Sequence, residues 1–389
     1  MKKSFVYIFI SVVIISLLSG CNVNVTDTSD FDIENNLADD QKYELGELIF
    51  YEKEDISYAE GFDIWYDENG YKLIEVYDSA GYLLIPEGEE EPENIPDDVV
   101  VLKKPVNNIY LAASAAMALF VKIGALDDIA FSGTDADGWY IDEAKEAMKS
   151  GDIVFAGKYS QPDYELLVDE GCSLAIESTM ILHTPEVKEK LEILGIPVFV
   201  DQSSYEAHPL GKAEWIKLYG VLTGKEDEAE TYFNEEKEKA LELSVEETEE
   251  KSVAFFYVTS GGQINVRKSG DYIPKMIEMA GGSYVLSDVA GDENALSTMN
   301  MDAETFFSQA RDADIIIYNS TVTGELESID DLIAKSPIFE EFKAVKSKNV
   351  WCMSASTFQQ TTAIAEMILD FNRVISGSDD ETTFLTRLY

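Results

Sequence analysis

Two series of alternating strand and helix patterns constrain the fold of this chain more than any other feature. The first series contains four short apolar runs that are typical of buried strands, at 99–102, 128–131, 173–176 and 197–200. The second series contains three more such runs, at 253–258, 314–318 and 349–352, and a helix-rich stretch separates the two series. Because alternating strands and helices form sheets covered by helices, the sequence predicts an α/β fold with two α/β lobes joined by a long connecting helix.

The segment before the first series predicts an extra N-terminal β-hairpin or meander. Strand-forming residues flank Asn69 and Gly70, a dipeptide that favours a tight hairpin turn, and residues 82–85 predict a third strand. The predicted order is a signal peptide at 1–20, an acidic flexible linker at 21–60, the β-hairpin or meander at 61–98, an N-terminal α/β lobe at 99–205, connecting helices at 206–245 and a C-terminal α/β lobe at 246–389.

Composition excludes several classes of function. The chain has 75 acidic and 29 basic residues, so its surface repels nucleic acid and anionic lipid head groups. Its two histidines are too few for a histidine-rich metal cage. Besides Cys21, only Cys172 and Cys352 occur, and we expect these two to be separate buried thiols. The chain has no G-x-S-x-G elbow, Walker loop or H-E-x-x-H motif, which argues against an enzyme.

The N-terminus carries the parts of an export signal. Lys2 and Lys3 precede an uncharged apolar run at 4–18, which is followed by small residues and Cys21. This run has about 15 residues, whereas a membrane-spanning helix needs roughly 20. The tetrapeptide Leu-Ser-Gly-Cys that ends at Cys21 resembles the bacterial lipobox, which implies lipid attachment to Cys21. We therefore expect an exported protein, lipid-anchored to the outer face of the bacterial cytoplasmic membrane; an ordinary signal peptide with a coincidental cysteine is the alternative.

Several segments in a fixed order give the chain a family resemblance. They lie at 108–117, 123–129, 194–200, 215–224 and 279–282. With the lipobox in front of them, they resemble the solute-binding proteins of ABC importers, in the class that binds iron complexes, siderophores and cobalamin. The resemblance covers roughly residues 99–377. It implies two α/β lobes bridged by a long helix, a ligand held between the lobes, and capture without catalysis.

A weak internal repeat places a glutamate at the head of a short helix in each half of the chain. Glu165 precedes the strand predicted at 173–176, and Glu304 precedes the strand predicted at 314–318. A helix dipole favours an acidic residue in the first turn, which is the simpler explanation. The family resemblance implies that Glu165 and Glu304 dock the two lobes onto basic pockets of the ABC permease, through charge-assisted bonds to arginine.

The resemblance also places the ligand site in loops that follow strands and lead into helices, between the two lobes. In these loops we expect Trp139, Tyr159 and Phe358 to stack on a planar or aromatic ligand. Arg267 follows a glycine-rich turn and is expected to hold a carboxylate or catecholate oxygen. For each aromatic residue, packing between the lobes is the alternative.

His208 is the residue predicted to reach the metal centre of a haem or corrinoid. Glu206, Met180 or His183 would complete that coordination, and the protein itself would bind no metal directly. His208 precedes Pro209, so a hydrogen bond at the helix entry is the alternative role for this side chain.

The sequence therefore predicts the solute-binding component of an ABC importer, which captures an iron complex (siderophore or haem) or a corrinoid. We expect a monomer that has no cofactor, although its ligand contains iron or cobalt. Its expected partners are the metal-organic ligand, the permease subunits and, through the anchor, the membrane. A surface lipoprotein that binds a protein or glycan without transport is the alternative, because the region 61–98 is rich in aromatic residues.

Overall fold

The computed structural model describes residues 42–242, 251–289 and 298–389. The predicted signal peptide, Cys21 and the first half of the predicted linker lie outside these residues. Within the described ranges, none of the helices combines the length and the apolar character that a membrane crossing requires. The described residues form an N-terminal sheet, two α/β lobes and two connecting helices.

The N-terminal sheet has six strands and is larger than the predicted hairpin. The strands are β1 (Tyr43–Leu45), β2 (Leu48–Lys53), β3 (Phe62–Asp67), β4 (Lys72–Val76), β5 (Ala80–Ile85) and β6 (Val99–Lys103). Consecutive strands are neighbours, all antiparallel except for the parallel pair β5 and β6. One face contributes to the core of the first lobe, where the rings of Phe62 and Trp215 lie 5.1 Å apart. The other face has an apolar cluster of its own.

This sheet corrects two predictions from the sequence. Strands β1 and β2 lie in the segment predicted as a flexible linker, because Leu45 and Phe50 are buried although their neighbours are charged or exposed. Strand β6 contains the run predicted to begin the first lobe, but it pairs with β5 in the N-terminal sheet. An apolar run indicates a strand without indicating which sheet the strand joins.

The first lobe is built on a five-stranded parallel sheet with the order β13-β12-β7-β8-β9. Its strands are β7 (Ile109–Leu111), β8 (Ile129–Ser132), β9 (Val154–Phe155), β10 (Gly157–Lys158), β11 (Gln161–Pro162), β12 (Leu174–Ser178) and β13 (Val198–Asp201), of which β10 and β11 form a separate hairpin. Its helices are α1 (Met117–Lys122), α2 (Asp142–Ser150), α3 (Tyr164–Asp169) and α4 (Pro185–Ile193).

Two helices connect the lobes, and both lie in the segment 206–245 for which connecting helices were predicted. They are α5 (Pro209–Thr223) and α6 (Glu226–Leu241). Gly224 ends α5 in the left-handed conformation at φ 74°, which glycine adopts without strain. The chain then turns so sharply that a Cβ atom on Gly220 would lie 2.7 Å from the Cβ atom of Ala229. Every residue of α5 from Pro209 to Leu222 is buried, so this helix lies in the interior of the molecule.

The second lobe contains a seven-stranded mixed sheet. Its strands are β14 (Lys251–Val258), β15 (Ile264–Arg267), β16 (Gly282–Tyr284), β17 (Thr298–Met301), β18 (Ile315–Asn319), β19 (Val350–Met353) and β20 (Leu385–Arg387). The order is β17-β15-β14-β18-β19-β20, and β16 also pairs with β14. The helices are α7 (Tyr272–Met279), α8 (Ala303–Ala310), α9 (Ile329–Lys335), α10 (Lys343–Lys346) and α11 (Ile364–Ser376). Cys172 and Cys352 are free and buried in separate apolar clusters, as predicted.

A short segment that we call the strap, residues 57–61, joins the N-terminal sheet to α5. The first three backbone N–H groups of the strap donate to the Glu214 carboxylate at 2.7–2.9 Å. The last two donate to the Glu206 carboxylate at 2.9 and 3.0 Å, and the indole of Trp215 donates to Glu206 at 2.7 Å. Both carboxylates are buried. Because a buried carboxylate must be hydrogen-bonded, these donors hold the N-terminal sheet and α5 together.

Candidate functional site

Two loops, one from each lobe, meet between the lobes. Residues 136–140 follow β8 of the first lobe, and residues 354–361 follow β19 of the second lobe. Both loops leave the carboxyl end of a strand that belongs to a parallel pair, which is where α/β proteins commonly bind ligands. We call the meeting of these two loops the interlobe contact.

Gln359 provides most of the hydrogen bonding at the interlobe contact. Its amide nitrogen donates to the carbonyl oxygen of Gly138 at 2.9 Å, and its amide oxygen accepts from the backbone N–H of Tyr140 at 2.7 Å. The hydroxyl of Thr361 donates to the carbonyl oxygen of Ala115 at 2.9 Å. Gln359 is only 1% exposed, so these bonds are shielded from water. The sequence did not single out Gln359 as an interlobe residue.

An exposed aromatic pair stands beside these hydrogen bonds. The rings of Tyr140 and Phe358 lie 6.2 Å apart, nearly perpendicular, and are 47% and 38% exposed. Trp139, predicted to stack on a ligand, is instead 1% exposed in the core, where its indole N–H donates to Ser132 Oγ at 3.3 Å. The backbone at Trp139 is extended, and successive side chains of an extended chain point to opposite sides. The aromatic side chain available to a ligand is therefore that of Tyr140.

A small cavity lies next to the interlobe contact, on the side of the second lobe. Its volume is about 40 Å³, room for a few atoms rather than for a whole metal complex. The cavity is lined by Lys212, Phe255, Arg267, Tyr272, Ile273, Asn319, Thr321, Met353, Thr357, Phe358, Gln360, Thr361, Ile364 and Met367. Since Phe358 also belongs to the exposed aromatic pair, the cavity and the interlobe contact form one continuous site.

Two basic side chains line the cavity. Arg267, at the end of β15, donates to the Asp271 carboxylate at 3.2 Å, and Asp271 also caps α7 by accepting from the backbone N–H of Ile273 at 2.9 Å. Lys212, in the first turns of α5, places its ammonium nitrogen 4.7 Å from the ring centroid of Tyr272. Arg267 was predicted as a ligand contact and lies in the cavity; Lys212 was missed, because a lysine in a helical sequence is usually on the solvated face.

The other predicted ligand contacts do not line this cavity. Tyr159 lies in the turn between β10 and β11 and is partly exposed. Met180 and His183 are exposed in the short helix Thr179–His183 that follows β12. Arg267 and Phe358 line the cavity, whereas Tyr159, Met180 and His183 do not.

His208 has the helix-entry role that was the alternative for this residue. Its Nδ1 atom accepts from the backbone N–H of Leu210 at 3.1 Å, and its ring lies 4.7 Å from the ring of Tyr58 in the strap. Burial, together with the nearby charge of Lys275, lowers the pKa of His208. These contacts assign His208 to the entry of α5, outside the cavity lining, so the predicted role in metal coordination is not supported.

The two glutamates predicted to dock the permease occupy equivalent positions. Glu165 is the second residue of α3 and Glu304 is the second residue of α8, and both are exposed. An aspartate caps each helix: Asp163 accepts from the backbone N–H of Leu166 at 3.1 Å, and Asp302 accepts from that of Thr305 at 2.8 Å. These bonds lower the pKa of Asp302. Each lobe therefore presents a carboxylate at a rigid helix start, and docking through these groups stays a prediction.

Comparison with known proteins decides the family. Residues 114–357 match the family described as periplasmic binding protein. The match covers more than half of the chain, and it spans both lobes and the connecting helices. This chain belongs to the periplasmic binding protein family. The N-terminal sheet, at residues 43–103, lies outside the matched region of this periplasmic binding protein.

Relatives and solved structures agree with this membership. An uncharacterized lipoprotein of Methanocaldococcus jannaschii is 24% identical, over 92% of this chain and 89% of that protein. A haem-binding periplasmic protein of Pseudomonas aeruginosa has a TM-score of 0.57 at 15% identity, over 72% of this chain and 97% of that one. A possible iron-binding, periplasmic solute-binding protein of Staphylococcus epidermidis has a TM-score of 0.53 at 18% identity, over 69% of this chain and 97% of that one.

These likenesses confirm the predicted two-lobed α/β fold. Family membership gives this periplasmic binding protein the role of a solute-binding protein of ABC transport rather than that of an enzyme.

Proposed function

We propose that this periplasmic binding protein captures an iron complex between its lobes and delivers the complex to an ABC permease. The observation that carries the proposal is the exposed aromatic pair of Tyr140 and Phe358, to which each lobe contributes one ring beside a cavity with both apolar and basic lining residues. A ring system or apolar backbone of a metal complex would displace water from these rings and touch both lobes at once. The haem-binding and possible iron-binding structural relatives support this choice of ligand class.

The cavity volume sets a condition on this capture. At about 40 Å³, the cavity holds only part of an iron complex, so the body of the ligand would lie at the aromatic pair. Capture would separate the rings of Tyr140 and Phe358 and would weaken the neutral bonds that Gln359 makes. A ferric siderophore, haem and a corrinoid are the three ligand types to be tested.

Docking on the permease is the second half of the proposal. Glu165 and Glu304 extend from capped helix starts, one in each lobe, without an ion pair among the described residues. Arginine on a permease would form charge-assisted and often bidentate bonds with them. Double reversal to Glu165→Lys and Glu304→Lys should abolish uptake and leave ligand affinity unchanged. Reversal of two other exposed glutamates, Glu189 and Glu340, is the matched control and should leave both unchanged.

An acyl anchor on Cys21 would keep the binding protein near its permease. The first described strand begins at Tyr43, 22 residues after Cys21. A lipid anchor at Cys21 would raise the effective concentration of the binding protein at the membrane, so docking can be weak and reversible. The name lipoprotein given to the Methanocaldococcus relative supports this anchor.

Titration of the protein without its first 20 residues tests the proposal directly. Intrinsic fluorescence should be quenched on addition of a ferric siderophore, haem or cobalamin, with a dissociation constant in the micromolar range or tighter for at least one of them. Failure of all three to bind would remove the proposed function and would favour a lipoprotein that binds a protein or glycan partner.

A further inference from the structure

The lining of the cavity of the second lobe is basic, although the whole chain has a formal net charge of −46. Lys212 and Arg267 line the cavity, and none of the other lining residues is acidic. Arg267 is already paired with Asp271, whose carboxylate oxygen lies 3.2 Å from the guanidinium. The arginine–aspartate pair is neutral as a unit, and Lys212, whose charge also acts on the buried Asp201 carboxyl group behind it, adds a second cation to a lining without carboxylates.

Lys212 is short of hydrogen-bond acceptors. Its ammonium has three N–H donors and the residue is only 6% exposed, but its contact in the cavity is with the ring of Tyr272. The neighbouring carboxyl group of Asp201 is hydrogen-bonded to Ser203 and Tyr219 instead. Among the residues that the structure describes, none accepts a hydrogen bond from Lys212. Among the described residues, the fully enclosed polar side-chain atoms without a partner are the two Glu177 oxygens, so the Lys212 ammonium is open to the cavity and a ligand group that enters it can supply the acceptors.

Arg267 is positioned to bind the same ligand group. Its guanidinium donates one N–H to Asp271, and its Cζ atom lies 5.9 Å from the ring centroid of Tyr272, the ring that Lys212 also approaches. Both cations line the same small cavity, so one anionic group inside it would lie close to both. Asn319 and Thr321 line the same cavity and add neutral polar groups. A carboxylate has two oxygens and one negative charge, which suits two cationic donors that line one cavity without an acidic residue in the lining.

We infer that the ligand carries a carboxylate arm, which enters the cavity and binds to Lys212 and Arg267. This inference rests on the proposed function and narrows its ligand class to iron complexes with a free carboxylate, as opposed to neutral complexes. The small volume of the cavity fits an arm of a few atoms. Phe358 lines the cavity and is also exposed beside Tyr140, so the body of the complex lies on the aromatic pair while its arm extends inward.

An iron porphyrin with free carboxylates and its dimethyl ester are matched probes for this inference. They have the same ring and metal, and only the acid carries negative charge on its side chains. The wild-type protein should bind the free acid about 30-fold more tightly than the ester. Lys212→Met keeps most of the side-chain volume and should bind the acid only as tightly as the wild type binds the ester. Lys212→Arg should restore the preference for the acid.

Lys346→Met, which removes an exposed charge from the same lobe outside the cavity, should retain the full preference for the acid. Equal affinity of the wild type for acid and ester would overturn the inference, and so would a preference that survives in Lys212→Met. The wild-type comparison needs no variant, so it decides the matter even if Lys212→Met fails to fold.

A second probe pair separates failure of the inference from failure of the proposed function. If neither porphyrin binds, ferric citrate and a neutral ferric trihydroxamate are titrated in the same way. Preference for ferric citrate, lost in Lys212→Met, supports the inference. Binding of the neutral trihydroxamate alone overturns the inference and leaves the proposed function standing. Binding of none of the four complexes overturns both.

Discussion

The strap and the interlobe contact both join segments that are far apart in the chain, but they use different chemistry. The strap places five backbone N–H groups on two buried carboxylates. The interlobe contact uses the neutral side chains of Gln359 and Thr361, beside two exposed rings. Charge-assisted hydrogen bonds are about twice as strong as neutral ones. The strap is therefore suited to stay fixed, and the interlobe contact is suited to open for a ligand.

Removal of a strap carboxylate should have the largest effect. Glu214→Ala leaves three backbone N–H groups of the strap without their acceptor and opens space beside α5. We expect the free energy of unfolding to fall by about 5 kcal/mol, since the loss of one partner from a buried charged cluster is among the most destabilising changes. Urea denaturation followed by circular dichroism measures this change.

The control for that experiment is an exposed glutamate on the neighbouring helix. Among the described residues Glu228 is paired with Lys225 alone, at the surface, so Glu228→Ala should change the free energy of unfolding by no more than about 0.5 kcal/mol. A similar decrease in the free energy of unfolding in Glu214→Ala and Glu228→Ala would show that a strap carboxylate stabilises the fold no more than a surface glutamate does.

Glu177 is a buried carboxyl group that, unlike the two strap carboxylates, has no hydrogen-bond donor among the described residues. Glu177 in β12 is fully buried, and neither of its carboxyl oxygens has a hydrogen-bond partner among the described residues. Burial raises the pKa of Glu177 from 4.5 to about 8. Glu177 is therefore protonated and neutral in its buried position at neutral pH. The two strap carboxylates instead accept hydrogen bonds from five backbone N–H groups.

The raised pKa of Glu177 predicts a pH-dependent stability. The folded protein keeps a proton that the unfolded chain releases above about pH 4.5, so this contribution to stability is complete below that pH and is lost as the pH rises through about 8. Between pH 5 and pH 8.5 the free energy of unfolding should fall by up to about 4 kcal/mol relative to Glu177→Gln, which has no such proton. The free energy of unfolding of both proteins is measured by urea denaturation at each pH. If it changes with pH by the same amount in the wild type and in Glu177→Gln, the prediction is wrong.

Removal of the interlobe amide should have a smaller effect on stability. Gln359→Ala leaves the Tyr140 N–H and the Gly138 carbonyl without their partners, at a cost of about 2 kcal/mol. Because the bonds lie between lobes rather than within a core, hydrogen exchange of the Tyr140 amide should accelerate while the amides of β14 keep their protection. Equal acceleration in β14 would mean that Gln359 stabilises the whole fold instead of the contact alone.

The sequence predicted the lobes well because their strands are apolar over their whole length. Strands such as β12 and β18 have a parallel neighbour on each side and are buried on both faces, and an apolar run of that kind is the clearest strand pattern in a sequence. Strands β1 and β2 were missed because each is largely exposed and has a single buried residue, Leu45 or Phe50. Strand β6 was assigned to the wrong sheet for a different reason: strand pairing depends on tertiary contacts, which an apolar run does not show.

The site was less predictable than the fold. The interlobe contact does lie in loops that follow strands and lead into helices, as predicted, and Arg267 and Phe358 line the cavity. Trp139 was chosen over Tyr140 because a sequence shows that two aromatic residues are adjacent, but it does not show which one faces outward. Lys212 could not be found, because only the packing of both lobes around α5 turns a helical lysine into a buried one.

Tyr140→Ala tests most directly whether a ligand binds where the two lobes meet. The dissociation constant of the tightest-binding iron complex, measured by fluorescence titration, should rise about tenfold in this variant, since one exposed aromatic contact is lost. Tyr51→Ala removes an equally exposed tyrosine from the N-terminal sheet and should leave the constant unchanged. Unchanged affinity in Tyr140→Ala would contradict the account, because the ligand would then bind away from the interlobe contact.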